Sequence, residues 1–297
     1  FHLFTYSFPY GAAETFLETE IRYIAAAWSK VVVLPARLEG ERRPLPPNVS
    51  VEDGLGRMLQ RAASPAESAA TIAHPRFARE LLTRPATLTS PHHLRRLTGQ
   101  LLVARRTARW ISAYLRSTGE KRPFCYSYWL NQAAFGLARL RRKDPRMTFV
   151  SRAHGMDLYA ERHHLPYLPL QVDVLAAADR VFTVSQHGRD YLAARHPNTP
   201  SRVQVARLGV DDPGFRCSPS NDTVWRILSC SALLPVKRVD RLIQGLAELG
   251  RRLPEQQLEW THIGDGPERA RLEAEARTHL PNNVTWTLKG HLPNHAV

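Results

Sequence analysis

Short apolar runs alternate with longer stretches of helical period along most of the chain. Phe1 to Thr5 predicts a strand, and Glu14 to Trp28 carries apolar residues at helical spacing. Lys30 to Pro35 predicts a second strand and Val49 to Glu52 a weak one, joined by the connector Arg43-Pro44-Leu45-Pro46-Pro47. Residues 57 to 92 have helical composition but are interrupted by Pro65, Pro75, Pro85 and Pro91, so their pattern is ambiguous. A long helix is predicted from about Leu94 to Arg116, with Leu97, Leu101, Ala104, Ala108, Ile111 and Leu115 on one stripe. Strands follow at Phe124 to Ser127, Met147 to Ser151, Arg180 to Val184 and Val203 to Ala206, separated by helical segments. This alternation predicts an α/β domain of parallel strands with helices on both faces.

Residues 213 to 223 form a polar Pro/Gly/Ser stretch that reads as a linker between domains at 1 to 212 and 224 to 297. Beyond it, strands are predicted at Trp225 to Cys230, Leu258 to Ile263 and Val284 to Leu288. Helices are predicted at Lys237 to Arg251 and Pro267 to Leu280. Three strands with two helices make an incomplete doubly wound sheet, so the second domain is expected to be truncated. The chain opens at Phe1 and not at Met, and a short start is expected to be missing as well.

Composition narrows the function classes. Among 297 residues, 43% are hydrophobic and 23% charged, as in an ordinary globular protein. No apolar run reaches the length of about 18 residues that a membrane-spanning helix requires. Cys125, Cys217 and Cys230 match no metal spacing, and so sparse a set fits a reducing, cytoplasmic setting. Charge is the anomaly: 41 Lys+Arg against 27 Asp+Glu give a formal +14. Thirteen of the basic residues fall between Arg95 and Arg146, against two acids, Glu120 and Asp144. Arg105, Arg109 and Arg116 lie together beside the apolar stripe of the long helix, a pattern that suits either a solvated face or an anionic membrane surface. Specific nucleic-acid binding is not expected, because Trp110 and Tyr114 are the only aromatics on that helix and no reading motif accompanies them. No metal is expected either, since His92-His93 and His163-His164 are adjacent pairs without H-E-x-x-H or C-x-x-C.

Several strand ends carry candidate chemistry. The first strand runs into Thr5-Tyr6-Ser7-Phe8-Pro9-Tyr10-Gly11, a loop that would offer free backbone N–H groups to an anion at a helix start. Ser151-Arg152-Ala153-His154-Gly155-Met156-Asp157-Leu158-Tyr159 places His154 where ligands bind in open parallel sheets, with Gly155 allowing close approach. Ser185 reads as a helix cap. Pro235-Val236-Lys237-Arg238 puts two cations at a helix N-terminus, which is unfavourable unless an anion binds there. Such an anion would be a phosphate-bearing ligand in an interdomain cleft. His262-Ile263-Gly264-Asp265-Gly266-Pro267 and Lys289-Gly290 end the two later strands.

Together with Val184-Ser185-Gln186-His187-Gly188 and Arg207-Leu208-Gly209-Val210-Asp211, these stretches resemble the family 4 (group 1) glycosyltransferases, and especially the bacterial enzymes of exopolysaccharide and surface-polysaccharide assembly. The resemblance implies a GT-B fold of two Rossmann-like domains. The implied reaction is a retaining, metal-independent transfer of a hexosyl unit from a UDP- or GDP-sugar to a saccharide or lipid-linked acceptor, without a cofactor. In that family's pattern His154 matches the histidine near the transferred sugar, and Lys237 the lysine that neutralises the donor diphosphate. Gly11, Gly155, Gly264, Asp265, Lys289 and Gly290 match donor-side positions. Two departures stand out. Ser231-Ala232 replaces the family's Gly-Arg, with Arg238 expected to restore the lost charge. The family's acidic motif would lie beyond Val297, and a fragment without it is expected to be inactive.

Two other readings stay open from the residues. A nicotinamide-dependent oxidoreductase would use the same kind of sheet, but the glycine fingerprint and its acidic partner are absent. A non-catalytic basic protein would bind membrane or nucleic acid through charge alone.

Overall fold

The computed structural model describes all residues except 12, 84–89, 164–165, 199–201, 213, 215, 217, 219–221 and 293–297. Its contacts divide the chain into two units, Phe1–Asp211 and Asp212–Val297. Much of the expected linker at 213 to 223 lies outside the described residues, as do Pro85 and the last residues of the chain.

The first unit is built on seven parallel strands: β1 (His2–Thr5), β2 (Val31–Pro35), β3 (Val49–Val51), β4 (Phe124–Ser127), β5 (Thr148–Ala153), β6 (Arg180–Thr183) and β7 (Val203–Val205). Their order is β3-β2-β1-β4-β5-β6-β7, so the chain winds one way from β1 to β3 and the other way from β4 to β7. Right-handed crossovers then put helices on opposite faces of the two halves. One face is covered by α1 (Phe16–Ala27), whose Leu17, Ile21 and Ala25 pack on Leu3, Val31, Val33 and Tyr128. The other face carries a larger core in which Leu97, Leu101, Ala104 and Ile111 of α5 (Pro91–Thr118) meet Phe4, Leu34, Phe149 and Val181. With α5 on that side lie α6 (Gln132–Arg141), α8 (Gln171–Ala177) and α9 (Gln186–Arg195).

The ambiguous region resolves into α2 (Gly54–Gln60), α3 (Pro65–Ile72) and α4 (Pro75–Thr83). Its prolines start helices here: Pro65, Pro75 and Pro91 each occupy a first helical position, where the missing N–H costs nothing. Ser64 and Glu67 close a reciprocal cap on α3.

The basic stripe of α5 is not simply a solvated face. Arg105 donates to the carbonyl of Ala70 in the last turns of α3. Arg106 donates to the Met58 and Arg61 carbonyls at the end of α2, at 2.8 Å each. Arg109 pairs with Glu67 at 2.7 Å. Cations at helix C-termini satisfy carbonyls that lack an intrahelical partner, so these arginines pin α2 and α3 to α5.

The second unit has β8 (Trp225–Cys230), β9 (Leu258–Ile263) and β10 (Val284–Gly290), parallel and in the order β10-β9-β8. Helices α10 (Val239–Arg252) and α11 (Arg269–His279) join one core with Leu258, Trp260 and Val284. An incomplete doubly wound sheet was expected. Here the strands advance in a single direction, so crossovers of one hand place both helices on one side. The opposite face leaves Leu228 62% exposed. The helix expected from Lys237 starts at Val239 instead, after a 3₁₀ turn at Pro235–Lys237.

Candidate functional site

Strand order reverses between β1 and β4, and ligands of open parallel sheets bind beyond the strand ends at such a point. The β1–α1 loop lies there, but its N–H groups are already engaged. Glu14 takes a left-handed backbone conformation at φ 55° and is buried. Its carboxylate accepts from the backbone N–H groups of Tyr6 at 3.0 Å, Ser7 at 2.7 Å and Phe8 at 2.7 Å, and from Trp129 Nε1 at 2.5 Å. The expected free anion-binding loop therefore holds an internal anion. Gly11 has φ 64°, and its N–H donates to the Glu41 carbonyl at 3.0 Å. A side chain at Gly11 would meet the Glu39 carbonyl oxygen at 2.8 Å, so glycine is required for chain packing.

β5 extends to Ala153, and His154 caps α7 (Gly155–Leu158). The imidazole is buried among aromatic rings, with centroids 4.4 Å from Trp129, 5.3 Å from Tyr128 and 5.5 Å from Phe16. Nε2 lies 3.1 Å from the Tyr128 carbonyl oxygen, which can only accept; Nε2 therefore carries the proton and Nδ1 the lone pair. Burial, helped by the nearby Arg152 charge, pushes the imidazole down to about 4, so it is neutral near pH 7. Asp157 accepts from the N–H groups of His154 at 2.5 Å and Leu130 at 2.6 Å, which ties the β4 and β5 ends together. Burial raises its carboxyl to about 7 against those two hydrogen bonds.

Two features beside His154 were missed in the sequence. Arg152 is buried and donates to Tyr126 Oη at 2.8 Å and Glu20 Oε1 at 3.1 Å, while Tyr128 Oη donates to Glu20 at 2.5 Å. The strand was expected to end at Ser151, so Arg152 read as part of the run after it, whereas β5 continues to Ala153 and buries it. At Gly155 a Cβ would collide with the Arg162 guanidinium, so that side chain occupies the space expected for a ligand.

A cavity of about 460 Å³ opens beside Trp129 and the first turn of α6. It falls within the usual range of about 300–1,000 Å³ for small-molecule sites.

In the second unit the motif glycines sit where all three strands end. Gly264 has φ 136°, donates to the Gly290 carbonyl at 2.8 Å, and would drive any Cβ into the Ser231 carbonyl oxygen. Gly290 has φ 79° and follows a register shift in β10. Asp265 accepts from the Gly266 N–H at 2.8 Å and faces Arg269 Nη1 at 3.3 Å. Lys289 is exposed. Beneath them His262 is fully buried between Ser229 Oγ at 2.7 Å and the Ser231 carbonyl at 3.0 Å. Lys237 is exposed in its 3₁₀ turn and makes no ion pair among the described residues. Arg238 differs: its guanidinium grips both oxygens of Asp240, at 3.0 and 2.8 Å, and holds that carboxyl down to about 2.

No protein-family model matches the sequence, nor does any curated protein. Solved structures match in fold. The lipopolysaccharide outer core galactosyltransferase WaaB, in its apo form, aligns at TM-score 0.62 and 13% identity, over 99% of this chain and 69% of its own. A trehalose-6-phosphate synthase, studied with bisubstrate glycomimetics for glycosyl transfer with retention, aligns at 0.57 and 13%, over 99% and 74%. WaaG, a glycosyltransferase involved in lipopolysaccharide biosynthesis, aligns at 0.51 and 15%, over 100% and 71%. At these identities the likeness establishes the fold, which is GT-B.

Proposed function

We propose that this chain is the sugar-transferring part of a retaining, metal-independent glycosyltransferase. It would move a hexosyl unit from a UDP- or GDP-sugar to a saccharide or lipid-linked acceptor in bacterial polysaccharide assembly. One observation carries the reading: in both sheets the motif residues sit just past the carboxyl ends of parallel strands, His154 after β5, Lys237 after β8, Gly264 after β9 and Gly290 closing β10. Strand ends of this kind gather ligands in doubly wound folds.

The chemistry follows from charge. As the glycosidic bond breaks, the leaving diphosphate gains negative charge, and a cation aimed at it favours the transition state over the ground state. Lys237, with no carboxylate paired to it among the described residues, is the side chain suited to that role. Arg238 is bound to Asp240, so in this reading it shapes the turn and leaves the charge to Lys237. Gly264 and Gly290 keep the strand ends bare for the nucleotide, with Asp265 and Lys289 at the rim. His154 is neutral and offers Nδ1 as an acceptor, which suits orienting a sugar hydroxyl and not proton abstraction. In the first unit, Gly11 packs against Glu39 and Gly155 against Arg162, so in this reading they serve the chain's own packing.

The test is a thermal-shift titration with UDP, GDP and NAD, followed by turnover of the matching sugar donor. Stabilisation by UDP or GDP and not by NAD is expected. In a chain that carries the acidic motif, K237A should lower turnover by about a hundredfold with an unchanged melting temperature. Near wild-type turnover in K237A overturns the assignment of that lysine.

A further inference from the structure

The cavity beside Trp129 has an unusual charge inventory. Most of the surface that lines it is apolar, with Phe135, Met156 and Leu168 among the contributors, while the polar side chains Asn131, His163 and Gln171 are already hydrogen-bonded within the protein. Into it face Arg96 and Gln100, four residues apart and so on one side of α5. Arg96 is half-buried, burial lowers its guanidinium from the ordinary value, and no carboxylate pairs with it among the described residues. Gln100 Oε1 is buried without a hydrogen-bond donor. One carboxylate does line the cavity, that of Asp157, but its two oxygens are held by the His154 and Leu130 N–H groups. A cation and an acceptor desolvated without partners are each costly, and a ligand that supplies both partners removes the cost.

We propose that this cavity binds an amphipathic phosphate monoester, its apolar chain against Phe135, Met156 and Leu168 and its phosphate on Arg96. The monoanion of such an ester offers charged oxygens to the guanidinium and one O–H to Gln100 Oε1, so it answers both unpaired groups at once. With Asn131, His163 and Gln171 already engaged, an apolar chain fits this surface better than the hydroxyls of a free sugar phosphate. This deepens the transferase reading, on which it rests in one respect: the occupant would be the acceptor, held in the first unit close to His154.

Binding of geranyl phosphate, with geraniol, inorganic phosphate and glucose 1-phosphate as comparisons, is measured by calorimetry on the whole chain without any donor. Geranyl phosphate should bind at least about tenfold more tightly than any of the other three, and R96M should weaken it by about tenfold or more. R96K, which keeps the charge but loses the fork, should recover part of the loss. Equal binding by R96M and wild type overturns the proposal, as does glucose 1-phosphate binding as tightly as the prenyl ester. Stabilisation by UDP or GDP is followed in parallel and should be untouched in R96M. If geranyl phosphate binds through Arg96 while neither nucleotide stabilises the protein, the cavity assignment stands and the transferase reading falls.

Discussion

A carboxylate that accepts four N–H groups inside a loop is expensive to remove, because every donor it leaves behind is desolvated. E14A should therefore lower the unfolding free energy by about 3 kcal/mol in urea titration, and E14Q, which keeps one acceptor oxygen, by about half as much. Nothing near Glu14 in sequence announces this role. It depends on a left-handed backbone at one residue and on an indole 115 positions away, so only the folded chain reveals it. The position of His154 past a strand end was legible, since it follows from pattern alone. Its neutrality was not, because that depends on three rings brought together by tertiary packing. The sign of its pH effect is definite. Between pH 6.5 and about 4 the unfolded chain binds the proton and the folded chain does not, so stability from this group falls as pH falls, by about 3 kcal/mol in all. Asp157, raised to about 7, acts oppositely over nearly the same range and masks the slope in the wild type. H154F should thus become relatively more stable than wild type as pH is lowered from 6.5 to 4, as read by urea midpoints at each pH.

Among elements, α5 was the easiest to find and the easiest to misread. Its apolar stripe was plain, and Leu97, Leu101, Ala104, Ala108 and Ile111 are all buried. The arginines beside that stripe look like surface charge until their partners are known. Arg105 and Arg106 reach carbonyls at the ends of α3 and α2, and Arg109 the Glu67 carboxylate of α3; the sequence of both elements was ambiguous, so the ambiguity hid the function of the charge. Arg106 is only 10% exposed and holds two such carbonyls. R106A is expected to cost about 1–2 kcal/mol and to speed amide exchange in α2 ahead of the sheet. If exchange in α2 is unchanged, the arginine does not anchor that helix.

For the molecule as a whole, alternation of strands and helices was sufficient to read an α/β chain, because parallel sheets record each crossover as a separate apolar run; the GT-B type was implied by the resemblance of the motifs. What the alternation could not record is direction, and direction decides which face each helix covers. The formal +14 is likewise spread less freely than composition suggests, with Arg105, Arg106, Arg109, Arg141 and Arg142 all engaged within the first unit. Arg95, Arg116, Lys121 and Arg122 remain exposed. Co-sedimentation with vesicles containing anionic lipid should therefore be measurable at low salt and fall about tenfold on raising salt from 0.05 to 0.2 M, since contacts of this kind are screened. No dependence on salt would assign the attachment to apolar contacts instead.

The one-way winding of β8, β9 and β10 also bears on how the protein can be handled. Residues 212–297 on their own would present an edge strand, β8, with Leu228 and Trp225 open to solvent. Unpaired edges with apolar side chains recruit other chains. A laboratory that cuts the gene at the boundary between the units should find the second piece in inclusion bodies unless the bare face is first made polar, for instance as L228T.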